Sequence, residues 1–246
     1  MSTFGHRLIR SASGGTPITP AHYAWSHQWR MVDAVGSQAP DTGTIGGATL
    51  TLSAGTLVTE GWACSTDVDC AYVDLDDIGG AIYNDNQSSY SLLVAVTPKA
   101  PLKFGRLIAA RDASSSRPVD TRFSSTHLIY RGSYGAPVEY NLGVSTPFAV
   151  DQQFYFAILQ DTATGYRAAD IYILNPDGDI YTSQITAQGF ESFWASSSTI
   201  YLQFLSYVVG DSTYTNGELN WAGYVQQLLT IDQIQAQVVA GRPPAP

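Results

Sequence analysis

The feature that most constrains the fold is a succession of short apolar runs, each bounded by residues that favour turns. The clearest run is Tyr90–Val96, whose apolar and β-branched residues predict a buried strand. Such runs are shorter than typical helices, so together they predict an all-β domain. The other predicted strands are Thr49–Leu52, Thr56–Thr59, Ala71–Leu75, Gly105–Ala110, His127–Tyr130, Phe154–Gln160, Ala169–Leu174, Ser198–Phe204 and Tyr224–Leu229.

Two turn sequences predict hairpins. Asn175-Pro-Asp-Gly178 places a proline and a glycine where a tight turn needs a fixed φ and a positive φ, between two apolar runs. Asn216-Gly217 is a strong signal for a two-residue hairpin, which would join Thr213–Thr215 to Glu218–Trp221.

One helix is predicted, and it lies at the C-terminus. Thr230 is a good N-cap, and Gln233 completes a capping box three residues later. Ile231, Ile234 and Val238 share one apolar face, and Gly241 ends the helix. We expect this helix to cover an open end of the sandwich.

The charge balance excludes several classes of partner. The chain of 246 residues has a net charge of −9, and only 13% of its residues are charged. A field of this sign repels nucleic acid and anionic membranes. No run of about 18 apolar residues predicts a membrane span, and the first residues lack the apolar centre of a signal peptide. We therefore expect synthesis in a host cytoplasm without classical export, with neither nucleic acid nor membrane as a partner.

The composition along the chain predicts one domain with two extensions. Residues 1–20 are rich in glycine and proline and form a predicted N-terminal arm, in which Arg7 and Arg10 are candidates for docking on a neighbouring subunit. Residues 21–240 form the domain, and residues 241–246 form a proline-rich tail that can be neither helix nor central strand.

The two cysteines leave their redox state open. On one continuous strand Cys64 and Cys70 would lie about 20 Å apart, too far for a disulfide. A turn at 65–69 would bring them together, so a disulfide and two free thiols both fit the sequence.

The C-terminal stretch Asn220–Gln235 reads NWAGYVQQLLTIDQIQ, which is an aromatic residue, a glycine, a strand, a short loop and a helix. With Tyr90–Pro98 and the strand pair Gln153–Leu159 and Asp170–Gly178, this order resembles the concanavalin A-like lectin and glucanase (laminin G-like) jelly-roll superfamily, found also in bacteriophage virion proteins. The resemblance covers roughly residues 25–240. It implies an all-β, two-sheet antiparallel jelly-roll sandwich with one short C-terminal helix. Members of the superfamily that bind calcium use loop carboxylates that have no clear match here.

The motifs of catalysis are missing from the sequence. Glycosidases of this fold commonly carry the pattern Glu-x-Asp-x-x-Glu, and none of the four glutamates has an acidic residue two positions later. Gly210-Asp-Ser212 is similar to the nucleophile block of a serine esterase family, but no histidine follows it to act as the base. We therefore expect no enzymatic activity and no obligatory cofactor.

Acidic residues are the best candidates for metal ligands. Asp74, Asp76 and Asp77 fall in one short span, and calcium requires six to eight oxygen ligands of this kind. Asp74 and Asp76 also alternate with Val73 and Leu75, which is typical of the solvated face of a strand. Both interpretations, a calcium site and a solvated face, are open.

Aromatic residues are the best candidates for ligand contacts. Tyr134 belongs to a cluster in residues 124–141, and Tyr207, Tyr214 and Trp221 belong to a later cluster. Sugars stack on exposed aromatic faces beside polar groups, but tyrosine and tryptophan are also common in cores and protein interfaces.

Two functions follow as hypotheses. The first is a non-enzymatic structural or assembly protein of a virion, as a capsid decoration or tail-associated protein of a phage, with other virion proteins and itself as partners. A closed homo-oligomer, a trimer, is expected. The alternative is a carbohydrate-binding module that attaches to a glycan on a host surface.

Overall fold

A computed structural model describes residues 25–74, 76–78, 89–103, 105–112, 119–123, 127–132, 138–141, 149–161, 167–181, 185–190, 200–206 and 214–240. Within them the chain forms two antiparallel sheets of eight strands each and one helix, α1 (Ile231–Ala240). The predicted all-β sandwich with one short C-terminal helix is confirmed. The predicted arm, residues 1–20 with Arg7 and Arg10, and the predicted tail, residues 241–246, lie outside the described residues. No helix in the described part is long and apolar enough to cross a membrane.

The strands follow one another with two short 3-10 turns, Met31–Asp33 and Asp76–Ile78. The strands are β1 (His27–Arg30), β2 (Gln38–Ala39), β3 (Leu50–Ser53), β4 (Thr56–Val58), β5 (Gly61–Cys64), β6 (Cys70–Asp74), β7 (Tyr90–Pro98), β8 (Arg106–Asp112), β9 (Val119–Phe123), β10 (His127–Gly132), β11 (Val138–Asn141), β12 (Phe154–Asp161), β13 (Arg167–Leu174), β14 (Ile185–Phe190), β15 (Ile200–Phe204) and β16 (Gly217–Val225).

The chain crosses repeatedly between the two sheets. Sheet A has the order β14-β13-β12-β7-β16-β5-β4, with β1 also paired to β16, and sheet B has the order β11-β10-β9-β8-β15-β6-β3-β2. Neighbours in sequence such as β7 and β8, or β15 and β16, therefore lie in opposite sheets. Every residue that one sheet turns inward can pack against the other sheet.

The main core fills the space between the sheets. From sheet A it takes alternate residues such as Leu92, Val94 and Phe156, and from sheet B it takes Val73 and Leu202, all buried. Each such side chain contributes about 1.5–3 kcal/mol through burial. The alternation leaves the intervening residues of both sheets on the outer faces.

A second apolar layer covers the outer face of sheet A. Leu93 and Tyr155 lie on this face and pack with Ile234 and Val238 of α1. Strand β7 is thus buried on both sides, as its unbroken apolar run predicts. The expectation that the helix closes an open end of the sandwich is wrong, because its apolar stripe matches the apolar outer face of sheet A.

The predicted capping box of α1 is present. The Thr230 N–H donates to Gln233 Oε1 at 2.8 Å, and the Gln233 N–H donates to Thr230 Oγ1 at 3.2 Å. The side chain of each residue thus accepts a backbone N–H that has no partner within the helix, which fixes where the helix begins.

The first predicted hairpin is confirmed. The Gly178 N–H donates to the Asn175 carbonyl at 2.9 Å, Gly178 has a φ of +78°, and Leu174 bridges to Ile180. The Asn175 side chain receives the Asp179 N–H at 2.9 Å and locks the turn.

The second predicted hairpin is wrong. Asn216 does not turn the chain back on itself, because its backbone and side chain bond to the loop 99–103. Gly217 starts β16, which pairs with β5 and β7 instead. A long-range contact has displaced a strong local turn preference.

A buried carboxylate fixes the connection from sheet A to sheet B. Asp41 follows β2 and accepts the His27 ring N–H at 2.7 Å and the backbone N–H groups of Gln28, Gly43 and Ala48. Burial alone raises the pKa of Asp41, but these hydrogen bonds together bring its pKa below the ordinary value. The charged form of Asp41 therefore stabilises the fold.

Both cysteines are free thiols. Cys64 and Cys70 are buried on either side of the turn 65–69, and the Cys64 thiol donates to the Asp69 carbonyl at 3.4 Å. Burial raises the pKa of both thiols, so they stay protonated and weakly reactive.

Candidate functional site

The outer face of sheet B has a different chemistry from its inner face. In β3 and β6 the core residues Leu52 and Val73 alternate with Thr51, Tyr72 and Asp74, which keep part of their surface exposed. Strand β15 continues the pattern, since Leu202 is buried in the core and its neighbour Tyr201 is partly exposed. A period of two in the sequence thus places polar and aromatic groups on one side.

Two tyrosines occupy the centre of this face. The rings of Tyr72 and Tyr201 meet edge to face, with centroids 5.3 Å apart and planes inclined by 77°. The arrangement satisfies the quadrupoles of both rings and fixes their orientation. The edge of one ring therefore contacts the face of the other.

Polar residues surround the pair in register. Asp74 is the cross-strand partner of Tyr201, while Gln203 and Thr51 are the partners of Tyr72 on either side. We call these five residues, Thr51, Tyr72, Asp74, Tyr201 and Gln203, the tyrosine face. It joins aromatic surface to hydroxyl and carboxylate groups within three adjacent strands, with the buried Gln203 beneath them.

The tyrosine face rests on a rigid support. Gln203 is buried, and the buried Cys70 thiol lies 3.8 Å from Gln203 Oε1 and 3.6 Å from the Ser206 carbonyl. The alternate residues Ala71 and Val73 are anchored in the core. Side chains placed this way lose little further freedom when they bind a ligand.

The chemistry of the tyrosine face suits recognition. Aromatic surface beside groups that donate and accept hydrogen bonds is the composition of a carbohydrate site. Its one carboxylate, Asp74, has no second acid within the face, whereas glycoside hydrolysis in its usual form uses two. Among the described residues, no three histidine, cysteine or acidic side chains converge to hold a metal ion.

The structure places Trp221 away from any exposed surface. Its ring is 1% exposed and packs edge to face on Trp25, with ring centroids 5.2 Å apart, in the layer beneath α1. A sugar cannot reach a face of this ring. The prediction of Trp221 as a ligand-stacking residue is wrong, because β16 is buried on both faces from Leu219 onward and the Trp221 ring fills the layer beneath α1.

Tyr214 is half-buried at the turn end of the sandwich. Its ring packs against the main core, and the Lys103 ammonium lies 3.6 Å from the ring centroid. One face of the Tyr214 ring is therefore covered by the Lys103 ammonium and is not open for a sugar to stack on.

The remaining candidates divide in two groups. Tyr134 and Tyr207 lie outside the described residues. Asp74 belongs to the tyrosine face, β6 ends at that residue, Asp76 starts a 3-10 turn and Asp77 is exposed. The prediction that Asp74 and Asp76 alternate on one strand is wrong, because the strand ends at Asp74. Calcium binding at these aspartates stays a prediction.

Sequence reasoning missed Tyr72 and Tyr201, although a signal was present. Tyr72 belongs to the same alternation that placed Asp74 on a solvated strand face. The pairing of β6 with β15, which brings Tyr201 beside it, joins residues far apart in sequence. Local patterns contain no information on such pairings.

Neither known family models nor curated proteins match this chain. Solved structures do. The sialidase of Trypanosoma rangeli in complex with sialic acid matches with a TM-score of 0.64 and 13% identity, over 93% of this chain and 36% of the sialidase. The binding domain of botulinum neurotoxin serotype D matches with a TM-score of 0.63 and 10% identity, over 88% of this chain and 51% of that domain. The binding domain of botulinum neurotoxin DC in complex with SialylT matches with a TM-score of 0.60 and 11% identity, over 89% and 51%.

These likenesses establish the fold, a lectin-like β-sandwich. The chain spans about a third of the length of the sialidase and about half of the neurotoxin domains. Identities of 10–13% show a shared architecture only, and the function depends on the chemistry of the site.

Proposed function

We propose that this chain is a non-catalytic, lectin-like module that binds glycans through the tyrosine face. The observation that supports this function most strongly is the Tyr72–Tyr201 pair, partly exposed and framed by polar side chains on a preorganised sheet. A sugar ring stacks its C–H surface on an aromatic ring while hydroxyl and carboxylate groups bind its hydroxyls, and Thr51, Asp74 and the two tyrosines supply such partly exposed groups here.

Two further observations support this proposal. The T. rangeli sialidase and the neurotoxin DC binding domain, both similar in fold, hold sialic acid and SialylT respectively. The low charge of this chain also leaves a surface of uncharged polar groups, which are cheaper to desolvate than charged ones.

The virion assembly role stays a prediction from the sequence. It rests on the jelly-roll pattern, the missing signal peptide, the low charge and the arm and tail, and the arm and tail lie outside the described residues. No feature of the described part of the sandwich and none of the similar structures favours it. The same holds for the expected trimer.

The test is binding of the purified full chain to a broad glycan array, followed by titration of the best ligand. Replacing Tyr72 or Tyr201 with alanine should lower the affinity about tenfold, because each change removes one aromatic contact. Tyr181→Ala is the matched control, since Tyr181 is 37% exposed on the turn near α1 and outside the tyrosine face.

Thermal unfolding of each variant separates a lost contact from a lost fold. The proposal is wrong if the wild-type chain binds no glycan on the array. It is also wrong if Tyr181→Ala weakens binding as much as Tyr72→Ala does.

A further inference from the structure

The chain has only two lysines, and both lie on the loop 99–103 at the turn end of the sandwich. Residues 100–103 are exposed, and Leu102 exposes 42% of its surface. In a chain with a net charge of −9, this loop concentrates positive charge and an apolar side chain at one place.

Asn216 holds the loop in shape. Its side-chain amide donates to the carbonyls of Lys99 and Pro101 at 3.2 and 2.9 Å, and its backbone N–H donates to the Lys103 carbonyl at 2.9 Å. The Lys99 N–H completes the set by donating to the Asn216 carbonyl at 3.1 Å. The loop therefore needs little ordering before it meets a ligand.

The two lysines have different surroundings. The Lys99 ammonium lies 2.9 Å from the Asp151 carboxylate and 3.1 Å from that of Glu218. Lys103 has no carboxylate within ion-pair distance in the described part of the chain, and its ammonium lies over the Tyr214 ring at 3.6 Å. The carboxylates of Asp151 and Glu218 are thus paired with Lys99. The Lys103 ammonium contacts only the Tyr214 ring among these groups, so it keeps N–H donors that a ligand can use.

The ring beneath Lys103 is fixed by its backbone. Tyr214 bridges to Arg106, and a Cβ on Gly105 would lie 2.5 Å from the Tyr214 carbonyl oxygen, so only glycine permits this approach. Thr215 adds a buried hydrogen bond from its hydroxyl to the Arg106 carbonyl at 2.6 Å. The position of the ring beneath the Lys103 ammonium is consequently set by the core of the sandwich.

We infer that Lys103, with Tyr214 and Leu102, forms a second binding site that recognises the carboxylate of an acidic sugar. The ammonium takes the carboxylate by a charge-assisted hydrogen bond, and Leu102 offers apolar surface to the sugar ring. The inference rests on the proposed glycan-binding function for the class of ligand but uses residues outside the tyrosine face. An acidic peptide, which also carries carboxylates, is the ligand that the experiment must distinguish from an acidic sugar.

The experiment titrates the full chain with an oligosaccharide of hexuronic acid and with its carboxyl-reduced, neutral counterpart. Lys103→Gln should weaken binding of the acidic ligand about tenfold and leave the neutral ligand unaffected. Lys103→Arg should retain most of the affinity, and added salt should weaken binding of the acidic ligand alone. Arg30→Gln is the control, because it makes the same charge change at a residue paired with Asp33.

The outcomes separate this site from the tyrosine face. If Tyr72→Ala leaves the acidic ligand bound with its dependence on Lys103 intact, the second site stands whether or not the tyrosine face binds sugar. If Lys103→Gln binds the acidic oligosaccharide like the wild type, or Arg30→Gln weakens it equally, the site does not exist. Equal, Lys103-dependent binding of an acidic peptide would overturn the assignment to sugars.

Discussion

The outer faces of the two sheets have opposite roles in this molecule. On sheet A the outward residues Leu93, Ala95 and Tyr155 are buried beneath α1 and Trp25. On sheet B the equivalent positions in β6 and β15 hold Tyr72 and Tyr201, which stay partly exposed beside polar groups. Both sheets send the same kind of alternate residues into the shared core.

The difference shows that an aromatic residue takes its role from the face on which it lies. Trp221 and Tyr201 both sit in strands of one sandwich, yet one completes a packed layer and the other belongs to a candidate binding surface. A strand that is apolar at every position implies two buried faces, and a strand that alternates implies one.

The largest expected difference in unfolding free energy is between two variants that each lose an aromatic ring, one beneath α1 on sheet A and one on the outer face of sheet B. Trp221→Ala should lower the free energy of unfolding by about 3–5 kcal/mol, since it empties a buried space beside Trp25. Tyr201→Ala should cost far less stability but should lower the glycan affinity about tenfold. Urea denaturation of both variants measures the difference, and equal losses of stability would erase the contrast between the faces.

A smaller effect tests the layer beneath α1. Val238 is fully buried against sheet A, whereas its neighbour Val239 is 47% exposed on the same helix. Val238→Ala should lower the free energy of unfolding by about 2 kcal/mol, and Val239→Ala should change it little. Similar values for the two valines would mean that α1 does not pack on sheet A as described.

The smallest effect concerns the link between the sheets. Asp41→Asn should lower the free energy of unfolding at neutral pH by about 1.5 kcal/mol, because the variant loses charge-assisted hydrogen bonds. The pKa of Asp41 is below its ordinary 3.8 in the folded chain, so this stabilisation is complete above pH 3.8 and is lost as the pH falls further.

Urea denaturation at a series of pH values measures this dependence. The gap between wild type and Asp41→Asn should narrow as the pH falls below 3.8. A gap that stays constant into strong acid would show that the charge of Asp41 does not stabilise the connection.

The sequence predicted the features that depend on neighbouring residues. The unbroken run of β7, the capping box at Thr230 and the turn at Asn175 follow from local spacing, and each is present. The sandwich class follows from these runs together.

The features that failed depend on contacts between distant parts of the chain. Asn216 bonds to the loop 99–103, which overrides its hairpin preference, and Trp221 is buried by Trp25 and the layer beneath α1. The tyrosine face arises only when β6 and β15 pair. Sequence spacing cannot supply that pairing, so the site could not be assembled from the sequence alone.

The most direct test of the tyrosine face is a map of backbone amide chemical shifts during titration with the glycan selected on the array. Binding at the tyrosine face predicts changes concentrated at Thr51, Tyr72, Asp74, Tyr201 and Gln203, with small changes at Leu93 and Tyr155 beneath α1. Changes concentrated on the α1 side, with the tyrosine face unaffected, would contradict it.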